Sequence, residues 1–260
     1  MLKGKNAVVT GATGIIGGAI ARALAAARAN VLVGGFAAPD EIEKLRADLI
    51  VRSGGTALYD GADLRRPGEI GRLIEMAQRQ LGSVDILVNN AGIQHVAPVE
   101  TFPPEKWDDI VAVNLTAAFH AIRAAVAPMK ARRWGRIVNI ASVHGLIASP
   151  DKAAYVAAKH GLIGLTRTVA LETASFGVTC NAICPGWVDT PLVREQIAAR
   201  AAAENRAPDA VVAAMLREKH PNRAFVEPEQ IGAAVVFLCS PGAAAITGAA
   251  IPVDGGWVAQ

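Results

Sequence analysis

Seven short apolar runs, separated by longer Ala- and Leu-rich stretches, restrict this chain more than anything else in it. The runs are Asn6–Thr10, Asn30–Gly34, Thr56–Tyr59, Asp85–Asn89, Arg136–Ala141, Val178–Cys184 and Ala249–Val253. Continuous rather than alternating hydrophobicity is what a strand covered on both faces requires. Helical patterns fall between nearly all of them. This alternation predicts an α/β fold: a doubly wound parallel sheet of about seven strands, with helices on both faces and right-handed crossovers. The chain has 260 residues and no Ser/Pro/Gly linker, low-complexity tract or internal repeat, so it reads as a single domain, 1–260. Between the sixth and seventh strands, residues of about 190–227 exceed what a crossover needs and are broken at Pro208 and Pro221. Ligands of open α/β sheets bind beyond the carboxyl ends of the strands, so a small helical lid is expected there.

Composition narrows function by exclusion. Apolar residues make up 52% of the chain and charged ones 19%, so much surface must be covered, and an oligomer is one way to cover it. The net charge of +3 is spread along the chain, with no basic cluster or interleaved aromatic stripe to suggest nucleic acid. No uncharged apolar run reaches the ~18 residues of a membrane helix. The opening M-L-K-G-K-N-A-V-V-T enters a strand almost at once, which leaves no room for a signal peptide. Cys180, Cys184 and Cys239 are odd in number, lie in apolar segments and lack metal-ligand spacing. They read as reduced, packed thiols, so a cytoplasmic protein without a metal is expected.

A chemical signal lies in A-A-Y-V-A-A-K, where Tyr155 and Lys159 stand one helical turn apart, preceded by Ser142. Residues i and i+4 share a helix face. Tyrosine, with a reference pKa near ~10, needs roughly 4 kcal/mol to become a base at neutral pH. One cation about 4 Å away at an effective dielectric near 20 supplies about that much. The pair would move a proton on and off an oxygen. Taken alone, Y-x-x-x-K is better explained by a solvated helix face, because Tyr and Lys four apart occur often by chance.

The first strand runs into T-G-A-T-G-I-I-G-G-A-I, Thr10 to Ile20. Glycines there let backbone N–H groups and a helix N-terminus approach a pyrophosphate. Asp63, after the third strand, is placed to accept from an adenine amino group. Asn90, Ala91 and Gly92 of N-N-A-G follow the fourth strand and would floor the cofactor cleft, although turn chemistry alone also favours Asn and Gly. The second strand ends V-L-V-G-G-F, with Phe36 where an acid would hold the ribose diol. Neither an acid nor an Arg or Lys occupies Phe36–Ala38, and NAD is expected rather than NADP.

Together, the T-G turn, N-N-A-G, Asn114, Ser142, Y-x-x-x-K and Pro185–Gly186 resemble the short-chain dehydrogenase/reductase family over essentially the whole chain. The resemblance implies a Rossmann-type fold, a nicotinamide cofactor and hydride transfer between a carbonyl and an alcohol. It implies Tyr155 as general acid/base, Lys159 as the group that lowers its pKa and binds the nicotinamide ribose, Ser142 as a hydrogen-bond partner of the substrate oxygen, and Asn114 as the anchor of a relay water. For the cofactor it implies Gly11, Thr13, Gly14, Ile16, Gly17, Phe36, Asp63, Leu64, Asn90, Ala91, Gly92, Val113, Tyr155 and Lys159. It adds Pro185, Gly186, Val188, Thr190 and Leu192 from the loop after the sixth strand. One departure stands out. Short members of the family show T-G-x-x-x-G-x-G, whereas this chain has T-G-x-x-G-x-x-G, with Ile15 where backbone approach is tight. That spacing is more typical of the family's longer members.

A closer resemblance joins D-G-A-D-L, N-A-G-I-Q-H, F-P-P-E-K-W-D, H-G-L-I-A-S and V-D-G-G-W to bacterial members of the family that interconvert (R)-3-hydroxybutyrate and acetoacetate with NAD. It implies that Gln94, His144, Lys152 and Gln196 hold the substrate carboxylate and that Trp187 and Trp257 wall off its methyl end. Charge-assisted donors suit a carboxylate, and a site built from them rejects neutral ketones. Four of these residues also have a plainer reading: His144 bonded to a carbonyl, Lys152 as first-turn surface charge, Gln196 as lid surface, Trp257 as an interface anchor. The partner is thus a small 3-hydroxy or 3-keto acid. Rival readings are a family member acting on a sugar, a cyclic alcohol or a 3-oxoacyl thioester, and a nucleotide-binding module without catalysis. The resemblance implies a homotetramer, and the Ala- and Gly-rich segment Ala153–Ala174 suits packing on two sides.

Overall fold

The structure, a computed structural model, describes residues 1–259. All seven expected strands form: β1 Asn6–Val9, β2 Asn30–Gly34, β3 Ala57–Asp60, β4 Ile86–Asn89, β5 Gly135–Ile140, β6 Val178–Pro185 and β7 Ala250–Val253. They build one sheet in the order β3-β2-β1-β4-β5-β6-β7, and every neighbouring pair is parallel. The helices are α1 Ile15–Ala26, α2 Pro39–Ser53, α3 Pro67–Leu81, α4 Pro104–Val111, α5 Ala117–Ala131, α6 Ala153–Thr173, α7 Pro191–Glu204, α8 Pro208–Lys219 and α9 Pro228–Leu238. Proline is the first residue of α2, α3, α4, α7, α8 and α9. Its missing N–H costs nothing there and its fixed φ suits the first turn.

Both sheet faces are covered. On one, Ile20 and Leu24 of α1 and Ile231 and Leu238 of α9 pack on Val31, Val33, Ile86 and Val138. On the other, Leu73 of α3 and Ile122 and Met129 of α5 pack on Leu32, Leu87 and Ile137. This is the doubly wound arrangement that continuous apolar strands require. The strand order reverses between β1 and β4, and a crevice opens at their carboxyl ends.

A π-turn, Ala112–Thr116, joins α4 to α5. The continuous helical stretch Pro104–Ala131 is long and apolar enough to cross a bilayer by length and composition. Here Ala117, Ala121, Ile122, Ala125 and Met129 of that stretch are buried in the core against the sheet. Helices α7 and α8 pack together through Val193, Ile197, Ala201, Val211 and Met215, with Trp187 and Phe225 against them. Arg200 of α7 reaches Glu218 of α8 at 2.8 Å and also pairs with Glu204 one turn along its own helix. The three cysteines are free and buried. Burial pushes the Cys180 and Cys239 thiols up to about 12 and the Cys184 thiol up to about 11.

Candidate active site

The crevice between β1 and β4 holds a cleft of about 500 Å³, and its floor is built from the glycine turn. Gly11 takes a left-handed φ of +64°, which favours glycine. A side chain on Gly17 would run into the Gly11 carbonyl and the Asn90 amide. A Cβ on Gly14 would meet only the Gly11 oxygen, at an ordinary 3.4 Å. The shifted spacing is therefore absorbed: Gly11 and Gly17 make the tight approach, while Gly14 caps α1 and Ile15 opens it as a partly exposed rim residue. Asn90 does more than turn the chain. Its amide donates to the carbonyls of Thr10 (2.9 Å) and Gly11 (3.2 Å), while Thr10 Oγ1 accepts from the backbone N–H groups of Asn90 and Ala91.

Of the expected cofactor residues, Gly11, Thr13, Gly14, Ile16, Gly17, Phe36, Asp63, Leu64, Asn90, Ala91, Gly92, Val113, Thr190 and Leu192 line this cleft. A helix N-terminus behind glycines that admit no side chain fits a dinucleotide pyrophosphate. Phe36, Ala37 and Ala38 carry no acid or base, while Asp63 and Arg65 line the same cleft as Phe36. Asp63 faces the cleft, but Arg65 grips its carboxylate at 2.9–3.2 Å and holds the carboxyl below its ordinary range. An adenine amino group would share Asp63 with Arg65.

A second cleft of about 150 Å³ adjoins the first. Ser142, Tyr155 and Lys159 line it, as do Pro185, Gly186 and Val188. The i, i+4 spacing on α6 does bring the phenol and the ammonium to one wall. Their electrostatics depart from the sequence-based expectation. Lys159 Nζ donates to the Ile140 carbonyl (2.8 Å) and lies 5.6 Å from the centre of the Tyr155 ring. Burial pushes the Tyr155 phenol above its ordinary value, and only the Ser142 hydroxyl opposes that. Burial also pulls Lys159 down to about 8. Desolvation of both partners outweighs their mutual attraction here. Asn114 is also bound differently from a free side chain. Its amide donates to the Ile93 carbonyl and its oxygen accepts the Ile93 N–H, both at 2.9 Å. Its carboxamide is thus spent on the strand-four loop, at the π-turn.

The expected anion-binding residues converge on the same small cleft. Gln94, His144, Lys152, Trp187 and Gln196 all line it. Lys152 is buried and donates to Gln196 Oε1 at 3.0 Å, with Trp187 beneath it. Burial brings its ammonium down to about 8, so it is charged at neutral pH. His144 is buried between Ser142 Oγ (3.4 Å) and Ser149 Oγ (2.8 Å), and burial, reinforced by Lys152, lowers its imidazole to about 4. Gln94 Nε2 and Trp187 Nε1 are buried with no hydrogen-bond partner. Such groups cost free energy unless something pairs with them. Trp257 is the exception among the expected wall residues. It stands one layer back, buried behind Trp187 (5.4 Å between rings) and His144 (5.6 Å).

Three residues that touch this machinery escaped sequence reasoning: Thr10, Ser149 and His220. Thr10 belongs to the T-G turn, and its spacing could have flagged it. Ser149 ends the H-G-L-I-A-S segment that His144 opens, and that segment could have flagged it. His220 acts through contacts that no local pattern encodes.

Residues 11–258 match a family model described as enoyl-(acyl carrier protein) reductase. The chain is 53% identical to a D-beta-hydroxybutyrate dehydrogenase of Cupriavidus necator, covering all of both chains. It is 50% identical to a D-beta-hydroxybutyrate dehydrogenase of Rhizobium meliloti, over 98% of this chain and 99% of the relative. A crystal structure from Sinorhizobium meliloti, described as a short-chain alcohol dehydrogenase, superposes with a TM-score of 0.90 at 37% identity, covering 100% of this chain and 98% of the other.

Proposed function

The chain belongs to the short-chain dehydrogenase/reductase family, and we propose that it oxidises (R)-3-hydroxybutyrate reversibly to acetoacetate with NAD. The observation that carries this reading is a cation and three polar donors, Lys152, His144, Gln94 and Gln196, in the same 150 Å³ cleft as Tyr155 and Ser142. Charge-assisted donors of this kind match a carboxylate. The orphaned Gln94 amide gains its missing partner when a carboxylate oxygen arrives. The cleft is small, which favours a four-carbon acid over a cyclic alcohol or an acyl carrier thioester. Two close relatives bearing the D-beta-hydroxybutyrate dehydrogenase name support the same substrate.

The residues divide the work. Lys152, Gln196, Gln94 and neutral His144 anchor the carboxylate and so place the carbinol carbon. Ser142 holds the carbinol oxygen. Tyr155, as phenolate, accepts the hydroxyl proton; in the reverse direction its phenol returns it. Ser142 and protonated Tyr155 stabilise charge on the oxygen as the C–H bond breaks. Lys159, on the side of the cleft nearest Gly92, is the candidate to hold the nicotinamide ribose. NAD supplies the hydride acceptor. The test is oxidation of each enantiomer with NAD, followed by NADH absorbance. Turnover of the (R) acid alone is expected; equal turnover of both, or of neither, contradicts the substrate.

The pH dependence follows from the same groups. Oxidation needs the phenolate, and burial raises the Tyr155 phenol, so kcat for oxidation climbs as pH rises through the alkaline range. Lys152 carries its charge below about 8 and loses it above, so KM for the acid rises on the alkaline side of that value. His144, near 4, stays neutral from mildly acidic pH upward and adds no limb there. Steady-state kinetics that separate kcat from KM across pH check both limbs; a KM that falls above pH 8 contradicts the assignment of Lys152. We also assign a homotetramer. Exposed Phe119, Leu171 and Phe237, on α5, α6 and α9, support covering by further copies. Light scattering on the eluted protein should give four chains, and a single-chain mass overturns it.

A further inference from the structure

His220 lies at the end of α8, outside both clefts, and is fully buried. Its surroundings leave its protonation state no freedom. Nδ1 faces the Ala224 carbonyl at 2.7 Å, and Nε2 faces the backbone N–H of Trp187 at 2.9 Å. A carbonyl can only accept and a peptide N–H can only donate. Nδ1 therefore carries the single proton and Nε2 is a bare acceptor. Burial favours the neutral ring as well, ahead of the opposing effects of the Ala224 bond and Asp254.

The Trp187 peptide is held on both sides. Its N–H goes to His220, and its carbonyl accepts from Val226 N at 2.8 Å. Gly186, the residue before it, approaches so closely that a Cβ there would meet His220 Nε2 at 2.6 Å. From this anchor the Trp187 indole runs to the substrate cleft, with Lys152 Nζ 4.9 Å above its ring. The His220 ring also packs on Trp257 at 5.7 Å, and Trp257 packs in turn on His144 at 5.6 Å. One imidazole thus joins the end of the helical insertion, the loop after β6 and the C-terminal segment. It backs two of the side chains that face the substrate.

We propose that His220 is a positioning residue for the substrate site: its bare Nε2 fixes the Trp187 peptide and thereby the wall on which Lys152, Gln196 and His144 are aligned. It touches neither substrate nor cofactor. Loss of the Nε2 acceptor lets the loop after β6 shift away from Lys152 and weakens capture of the acid, while Tyr155 and Ser142, carried on α6 and beyond β5, keep their places.

The role of the acceptor is separable from the bulk of the ring. His220→Asn keeps a polar group near Nδ1 and loses the acceptor at Nε2. His220→Leu fills the space and loses both. His220→Gln can place an oxygen where Nε2 lies. KM for (R)-3-hydroxybutyrate is expected to rise about tenfold or more in the Asn and Leu variants, the loss of roughly one buried hydrogen bond. In both, kcat and NADH affinity should change little, and the Gln variant should recover most of the lost KM. A Gln variant as impaired as Asn, or an Asn variant equal to the unsubstituted enzyme, overturns the proposal. This kinetic arm rests on the proposed reaction. A second arm does not: imidazole nitrogen NMR of the unsubstituted protein at neutral pH should show His220 protonated at Nδ1 only. A proton on Nε2, or a cationic ring, overturns the proposal even if no variant folds. If the enzyme oxidises neither enantiomer yet the spectrum is as expected, the substrate assignment fails and the anchoring of Trp187 stands.

Discussion

Replacing Tyr155 with Phe lowers kcat for 3-hydroxybutyrate oxidation by about 10²–10⁴-fold, the usual contribution of a positioned acid/base. The substitution removes one oxygen and keeps the ring that packs beside His144, 6.0 Å between centres. NADH binding, which depends on the Gly11–Gly17 turn and the Asn90 brace, should stay within about twofold, since sites without shared partners behave independently. Stopped-flow hydride transfer and fluorescence titration of NADH read the two quantities separately. A variant that retains a tenth or more of the turnover would remove Tyr155 from the chemistry. One that loses cofactor binding as well would show that the hydroxyl also helps to hold the cofactor.

The second large effect concerns the anion. Lys152→Met keeps the length of the side chain and its contact with Trp187 but removes the only cation among the substrate-facing donors. A hydrogen bond to a charged group contributes about 1.5–3 kcal/mol, so kcat/KM for the acid should fall about 10- to 150-fold. Most of the loss should appear in KM, because the carboxylate is held equally in the ground and transition states. Stability should be unchanged or slightly raised. Burial lowers the Lys152 ammonium to about 8, so the folded protein spends free energy to keep it charged at neutral pH. Thermal melting distinguishes the two outcomes: a sharp fall in both Tm and activity would mean that Lys152 is structural.

The distinction between what the chain announces and what it conceals is physical. The strands were readable because each is buried on both faces, which forces continuous runs of Val, Ile, Leu and Ala and leaves little choice of boundary. The third run begins one residue later than expected because the backbone N–H of Thr56 bonds to Asn30 Oδ1 before the ladder starts. The helix starts were readable at Pro208 because proline suits a first turn. Gly11 and Gly17 were readable because a backbone approach that excludes a Cβ admits one residue type only. Gly14 and Ile15 were harder, since the turn tolerates a shift that spacing alone cannot reveal.

Side-chain electrostatics was the opaque part. The i, i+4 rule placed Tyr155 and Lys159 on one wall, but it says nothing of the Ile140 carbonyl, which lies on a strand nineteen residues away and takes the lysine's hydrogen bond. Nor can it give the burial that shifts both groups in the direction opposite to their mutual attraction. Trp257 was read as a wall residue, and its place behind Trp187 and His144 depends on how the C-terminal segment folds back beside the insertion. His220 was invisible for the same reason: its role is a set of contacts between segments, made only once the sheet is assembled, whereas Ser149 bonds His144 within one loop, five residues away.

The central claim is a cleft that grips an anion beside a proton-transferring phenol, and the comparison of (R)-3-hydroxybutyrate with its methyl ester tests it most directly. The ester keeps the carbinol, the chain and the chirality, removes the charge and adds one methyl group. The account predicts a kcat/KM for the ester at least about 100-fold below that of the acid, because the Lys152 cation would lose its anionic partner and the remaining hydrogen bonds would lose their charge assistance. Equal kcat/KM for acid and ester would contradict it.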